Sequence, residues 1–226
     1  MIHVMFDIDE TMVSIKRGLN AKASRLMFKN VFGADTDEET VDNFSKTESW
    51  IIKAVLDKVG IKIDRVPETA YKTWAEETLK MLADDPPKVL PGIREILDAL
   101  SKNENVQLSL LTGNSPWRAD AKIHAVNLCQ YFTSQDHQLR GVFGDMADER
   151  EELIKIFKRK NKGDDKIVIV DDSLIGAKMA KDQNIPSILV STGKIPKSEL
   201  EKYSENVFAD FGENRWEKVI GIIGNL

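Results

Sequence analysis

The 226-residue chain has a single cysteine, Cys129, so no disulfide forms within it, which fits a reducing compartment and leaves stability to core packing. No run approaches the ~18 consecutive apolar residues that a membrane span needs. Basic charge is not in excess: 32 Lys and Arg stand against 37 Asp and Glu, a formal net charge of −5. That balance gives no electrostatic reason to expect nucleic acid or an anionic membrane as a partner. The opening residues, Met1-Ile2-His3-Val4-Met5-Phe6-Asp7, lack a basic stretch followed by a long apolar run, so a signal peptide is not expected. Internal repeats and low-complexity tracts are missing as well. What is present, 42% hydrophobic and 31% charged residues, is ordinary globular composition, enough for one large domain or a core domain plus a smaller one. The expectation is a cytoplasmic protein, as a monomer or a homodimer.

Short apolar runs occur at Ile2–Phe6, Val106–Leu111, Gly141–Phe143, Lys166–Val170 and Ile188–Val190. Each is followed by polar residues or glycine, the mark of strands buried on both faces in a parallel sheet. Helical periodicity separates them: Ile93, Ile96, Leu97 and Leu100 behind Pro91; Leu153, Ile154 and Phe157 within 150–160; Ile175 and Met179 within 174–181. Alternation from residue 88 onward predicts an α/β fold with a doubly wound parallel sheet.

Residues 14–88 break that alternation. They show no convincing strand and three or four helical patterns: Ala23, Met27 and Val31; Ile51, Ile52, Val55, Leu56 and Val59; and Tyr71, Trp74, Leu79 and Leu82. Asp84-Asp85-Pro86-Pro87 then closes the stretch, since a proline pair cannot continue a helix. A single crossover rarely needs three helices, so 14–88 is expected to be an inserted helical domain, with 1–13 and 89–226 forming the core.

Ligands of open α/β sheets bind beyond the carboxyl ends of the strands. Asp7 and Asp9 follow the first run, Thr112-Gly113-Asn114-Ser115 the second and Asp171-Asp172-Ser173 the fourth. Carboxylates gathered this way repel one another and call for a cation, and a hard divalent ion such as Mg²⁺ suits oxygen donors. Such an ion also lets a phosphate dianion approach an acidic protein. Taken singly, these residues read as solvated strand ends, and Asp172 or Ser173 as a helix cap. Their joint placement points to a site.

Asp7-Ile8-Asp9-Glu10-Thr11, Leu110-Leu111-Thr112-Gly113-Asn114 and Val168-Ile169-Val170-Asp171-Asp172-Ser173 resemble the first, second and fourth motifs of the haloacid dehalogenase-like superfamily. Order, spacing and strand context match over essentially the whole chain. The helical insertion resembles the cap of its phosphoglycolate phosphatase-like branch, and Leu90-Pro91-Gly92-Ile93-Arg94-Glu95-Ile96-Leu97 resembles the segment re-entering the core. The resemblance implies a phosphatase acting on a small phosphorylated metabolite. In it Asp7 is the nucleophile and Asp9 the acid and base. Mg²⁺ is held by the Asp7 carboxylate, the Asp9 carbonyl and Asp172, with Asp171 left open as the direct ligand instead. Thr112, with the backbone of Gly113 and Asn114, cradles the phosphoryl oxygens. Arg150 stands for the third motif's usual lysine, and Lys46, in Phe44-Ser45-Lys46-Thr47-Glu48, for a basic residue of the cap loop. Lys16, Arg17 and Asn20 are weaker substrate candidates.

The chain departs from the pattern in three places. Asp171 stands where a glycine is common, Gly176 where a further acid is common, and Glu10 where many relatives carry glycine. Asp9 and Asp172 argue against a dehalogenase, which lacks the second acid and needs no metal. A sugar phosphomutase shares every catalytic residue, a phosphonatase would need a Schiff-base lysine such as Lys46 or Lys22, and a catalytically silent binding module would keep the fold.

Overall fold

The computed structural model describes residues 1–16, 18–161, 163 and 165–226. Arg17, one of the substrate candidates, lies outside them.

In chain order the elements are β1 (Ile2–Phe6), β2 (Val13–Ser14), α1 (Leu19–Phe32), α2 (Glu48–Lys58), α3 (Glu68–Asp84), β3 (Lys88–Val89), α4 (Ile93–Leu100), β4 (Val106–Leu111), α5 (Pro116–His124), α6 (Cys129–Phe132), β5 (Gly141–Val142), α7 (Arg150–Lys160), β6 (Lys166–Asp171), α8 (Leu174–Asp182), β7 (Ser187–Val190), α9 (Lys197–Leu200), β8 (Val207–Phe208) and α10 (Arg215–Gly224). A single 3₁₀ turn, Glu38–Thr40, lies between α1 and α2. No described helix is long and apolar enough to cross a membrane.

Six strands form one parallel sheet in the order β5-β4-β1-β6-β7-β8. Successive side chains of a strand point to opposite faces, and β1 shows the result. Val4 and Phe6 pack with α4, α5 and α10 through Ile93, Ile96, Leu97, Ile123, Val219 and Ile223. Met5 faces the other layer, with Leu153, Ile154 and Phe157 of α7 and Met179 of α8. The doubly wound α/β architecture is therefore as the apolar runs predict. The register keeps the strand ends level: Phe6 lies opposite Leu110 on one side and Val170 on the other. Asp7, Leu111–Thr112 and Asp171 consequently emerge along one line.

Helices α1, α2 and α3 have their own apolar cluster, built on Met27, Phe28, Ile52, Leu56, Tyr71 and Trp74. The pattern read from residues 23–31 holds, and so does the second at Ile51, Ile52, Val55 and Leu56. Val59, which that pattern placed inward, follows the last residue of α2 and is 42% exposed. In α3 the buried face is Tyr71, Trp74, Thr78 and Leu82, while Leu79, which the pattern placed inward, is 50% exposed. Two strands are additional at the margins of this segment. β2 and β3 pair antiparallel through Val13 with Val89 and Ser14 with Lys88, so the chain leaves and re-enters the core as one two-stranded ribbon. β2, β3 and β8, of two residues each, carry too little pattern to be read from sequence, whereas the equally short β5 is legible because Gly141-Val142-Phe143 continues as an apolar run. Pro91-Gly92 precedes α4 rather than opening it. Gly92 is left-handed at φ 79° and packs so closely on the Phe211 backbone that a β-carbon would overlap it.

Candidate active site

Asp7 leaves β1 with its N–H donating to the Val170 carbonyl at 3.0 Å, which fixes the backbone at the sheet's carboxyl edge. Its carboxylate is buried. One oxygen lies 3.0 Å from Arg150 Nη2, the first residue of α7. The same nitrogen reaches Asp171 Oδ2 at 2.8 Å, so one guanidinium nitrogen serves two carboxylates. The other Asp171 oxygen accepts from the Ser173 N–H at 2.8 Å and the Ser173 hydroxyl at 2.6 Å. Ser173 also caps α8, accepting from the Gly176 N–H, which is the capping role its sequence context suggests.

Asp171 is fully buried and bonded through both oxygens, whereas Asp172 faces the cleft and gives one oxygen to the Thr11 hydroxyl at 3.1 Å. The two departures at 171 and 176 explain each other sterically. A β-carbon on Gly176 would overlap the Asp171 carboxylate, so an acid at 171 fills the space a side chain at 176 would need. Gly193 makes room in the same way for the Asp172 carboxylate.

Asp7, Asp171 and Asp172 each offer an oxygen within 4.8 Å of the others. Burial pushes the Asp7 carboxyl up to about 6, Arg150 opposing the shift and Asp171 adding to it. Burial likewise pushes Asp172 up to about 9, reinforced by the charges of Asp171 and Asp7. A set of hard oxygen donors whose negative charges are under-compensated fits a divalent cation such as Mg²⁺.

Asp9, two residues on, sits at the cleft wall with its side chain 36% exposed. Lys122 of α5 reaches it from beneath, Nζ lying 2.8 and 2.6 Å from its two oxygens, and Asn114 Nδ2 donates to Oδ2 at 2.8 Å. Burial would raise the Asp9 carboxyl, but the ammonium beside it outweighs that and holds it below the usual range. Asn114 Nδ2 also donates to the Thr112 hydroxyl at 2.8 Å. Glu10 has a left-handed φ of 56°, the geometry that glycine adopts without strain, and its side chain accepts from the Ser14 hydroxyl at 3.1 Å.

The inserted helices close over this floor. The N-terminus of α2 bonds to two core loops: the Glu48 N–H donates to the Gly113 carbonyl at 2.8 Å and the Ser49 N–H to the Gly144 carbonyl at 3.0 Å. Thr47 donates its hydroxyl to the Asp148 carbonyl, and Lys53 pairs with the Asp148 carboxylate. Arg118 of α5 forms a buried ion pair with Glu48 at 2.9 Å and lies 4.1 Å from the Trp74 ring, while Trp117 stacks on Tyr71. Between floor and helices lies a cleft of about 230 Å³, whose walls include Asp7, Asp9, Thr112, Asn114, Arg150 and Asp172 below and Asn20, Glu38, Lys46 and Glu48 above.

Of the sequence candidates at strand ends, Asp7, Asp9, Thr112, Gly113, Asn114 and Asp172 thus meet at the cleft. Asp171 turns inward to Arg150, and Ser115 and Ser173 cap α5 and α8. Lys46 reaches the cleft from the other side, its Nζ 4.9 Å from the Trp50 ring. Lys16 instead pairs with Asp85 on the exposed surface. Sequence reading missed Lys122, Arg118, Glu38 and Glu48. A faint signal existed for two of them: Arg118 and Lys122 are four apart, and so share a face, on a helix that opens just after the second strand's polar turn.

The sequence profile of the family described as haloacid dehalogenase-like hydrolase matches residues 4–190, well over half of the chain. Among solved structures, CbbY from Rhodobacter sphaeroides in complex with phosphate aligns with a TM-score of 0.67 at 19% identity, covering 93% of this chain and 95% of that one. A HAD hydrolase of family IA, variant 3, from Entamoeba histolytica HM-1:IMSS gives 0.67 at 18%, covering 99% and 100%. A putative β-phosphoglucomutase from Thermotoga maritima gives 0.60 at 21%, covering 98% and 99%. At these identities the likeness concerns the fold. A search of curated proteins returned no match.

Proposed function

The chain belongs to the haloacid dehalogenase-like hydrolases, and from that premise we propose that it is a Mg²⁺-dependent phosphatase of a small phosphorylated metabolite, working through an aspartyl-phosphate. The observation that carries the reading is the division of labour between Asp7 and Asp9. Asp7 shares a buried pocket with Arg150 and two further acids, while Asp9 stands at the cleft wall with its own cation. The solved structure that holds phosphate and the one named a putative β-phosphoglucomutase support phosphoryl chemistry in this cleft, though not hydrolysis over transfer.

In this reading Asp7 attacks phosphorus. Asp9, which the Lys122 ammonium keeps ionised at rest, takes up a proton with the incoming phosphate monoester. It passes that proton to the departing oxygen and then takes one from the water that cleaves the acyl phosphate. Arg150 steadies Asp7 and offers charge to the phosphoryl oxygens, and the Thr112 hydroxyl with the backbone of Gly113 and Asn114 holds them. The Asp7 and Asp172 carboxylates and the Asp9 carbonyl would hold Mg²⁺, with Asp171 acting through Arg150. The ion's contribution is to neutralise charge on the transferring group. Residues 14–88 act as a cap, entered and left through the β2–β3 ribbon, that keeps bulk water from the site and limits substrates to small molecules.

The deciding experiment measures Mg²⁺-dependent phosphate release across a panel of metabolite phosphates, together with intact mass of Asp9→Asn after substrate addition. The expected result is turnover by the native protein and a species one phosphoryl group heavier in Asp9→Asn, formed but not broken down. No release from any ester rejects the phosphatase, and no heavier species at any time rejects the covalent route. A native protein that converts one sugar phosphate into its isomer without releasing phosphate would establish the mutase instead.

Metal dependence should also be visible in stability. Asp7 and Asp172 have folded-state pKa values above the ordinary 3.8. Between roughly pH 4 and 9 the native state therefore holds protons that the unfolded chain has released, and the metal-free protein loses stability as pH rises through that window. Mg²⁺ at a hundredfold excess over its Kd should restore about 2.7 kcal/mol, and more effectively near pH 8 than near pH 5, where protons compete for the ligands. Urea unfolding in EDTA and in Mg²⁺ at the two pH values checks this. Greater metal-free stability at the higher pH would contradict it.

A further inference from the structure

Lys122 is fully buried, and each of its three ammonium protons has an acceptor: Asp9 Oδ1 at 2.8 Å, Asp9 Oδ2 at 2.6 Å and Asn114 Oδ1 at 2.7 Å. We propose that Lys122 is a positioning residue for the reaction, holding the Asp9 carboxylate and the Asn114 amide in the single arrangement the chemistry uses. The proposal rests on the reading of Asp9 as the proton carrier.

Three observations lead to it. Burying an ammonium costs several kcal/mol unless it is paired, and even a paired buried charge rarely adds net stability over an apolar residue of similar volume. The fold has no need of the charge here: α5 is held by Ala119 and Ile123 in the apolar layer and by Trp117 and Arg118 against the helical insertion. A lysine at 122 is therefore better explained by what it bonds. Second, Asp9 lies beyond β1, outside the six-stranded sheet, and among the described residues its only backbone bridge is to Val13. Without the ammonium beneath it, the carboxylate would keep one side-chain donor, the Asn114 amide, and would be free to leave its rotamer. Third, the bonds form a closed ring. Asn114 presents Oδ1 to Lys122 and Nδ2 to both Asp9 and Thr112, so the lysine selects the amide orientation that ties the proton carrier to the phosphoryl-binding hydroxyl. A proton donor held at the scissile oxygen gains rate from orientation, and a carboxylate free to turn loses it.

The test compares native protein, Lys122→Met, Asp9→Asn and the double variant, using an alkyl phosphate whose poor leaving group needs the proton. Lys122→Met is expected to lower kcat by about 10²-fold with little change in KM. In the Asp9→Asn background, read as the rate of phosphoenzyme formation because turnover stops there, the same substitution should change the rate by less than about threefold, since the group it positions is gone. An equal fractional loss in both backgrounds would mean that Lys122 acts through the fold in general, and would overturn the proposal. Where Lys122→Met does not yield folded protein, Lys122→Gln supplies the same comparison, its amide keeping one donor for Asp9. A second arm needs no turnover: urea midpoints of the four proteins. Loss of the lysine should lower the midpoint markedly when Asp9 is charged and much less when it is asparagine. Additive shifts would reject the Lys122–Asp9 coupling. A native protein without phosphatase activity but with non-additive midpoints would reject the phosphatase reading and leave the coupling standing.

Discussion

Asp7→Asn is expected to lower kcat at least ~10⁴-fold while leaving the protein folded and no less stable. The loss follows from chemistry: a neutral amide oxygen is a far weaker nucleophile than a carboxylate, and no other side chain of the site stands where the chain leaves β1. The retained stability follows from charge. Asp7, Asp171 and Asp172 crowd their oxygens within 4.8 Å, and one guanidinium nitrogen serves two of them. Taking one charge away relieves repulsion and leaves Asp171 still paired with Arg150. Steady-state assay with the best substrate, alongside thermal unfolding, measures both halves. Equal turnover in the two proteins would end the covalent reading, and a large drop in stability would show that the pocket needs the third acid to fold.

Removing Arg150 should do the reverse and cost stability first. Among the described residues, Arg150→Met leaves the fully buried Asp171 with only Ser173 as a donor and removes the cation paired with Asp7. Breaking a buried pair on one side typically costs about 3–5 kcal/mol, and that range is expected in urea unfolding near neutral pH. The deficit should shrink as pH falls, because the stranded carboxylates escape their penalty by taking up protons. Arg150→Lys is the informative companion. Every close carboxylate contact comes from Nη2 alone and Nε has no partner, so one ammonium can stand in for much of what the guanidinium does. Lysine should therefore recover more than half of the lost stability. Methionine as stable as arginine would mean that the pair contributes nothing to folding, and lysine no better than methionine would show that planar guanidinium geometry is required.

The polar ends of the strands were legible because that signal is local. A short apolar run followed at once by Asp7 and Asp9, by Thr112 or by Asp171 and Asp172 states both the strand and its chemistry within a few residues. Helical periodicity was nearly as clear, with Leu79 and Val59 as exceptions. Leu79 fits the spacing of α3 yet faces solvent, and Val59 lies just past the end of α2 and is exposed, since the neighbours of a helix and not its own pattern decide which side is covered. β2, β3 and β8, of two residues each, carry no periodicity and lack the extended apolar run that made the equally short β5 legible; they exist because a partner strand lies alongside.

The amino-acid sequence by itself determined the parallel sheet, the helices that follow its first strand, the family and the acids gathered at the sheet's edge, all written in short-range pattern. Only the tertiary structure decided that Asp171 turns inward to Arg150 while Asp172 faces the cleft, that Glu48 meets Arg118 across the insertion, and that Lys122 lies beneath Asp9. The reason is physical. A charged side chain has the same letter whether it is solvated or buried, and the cost of burial, which compels it to find a partner, arises only when residues more than a hundred positions apart, as Asp9 and Lys122 are, close around the same small volume.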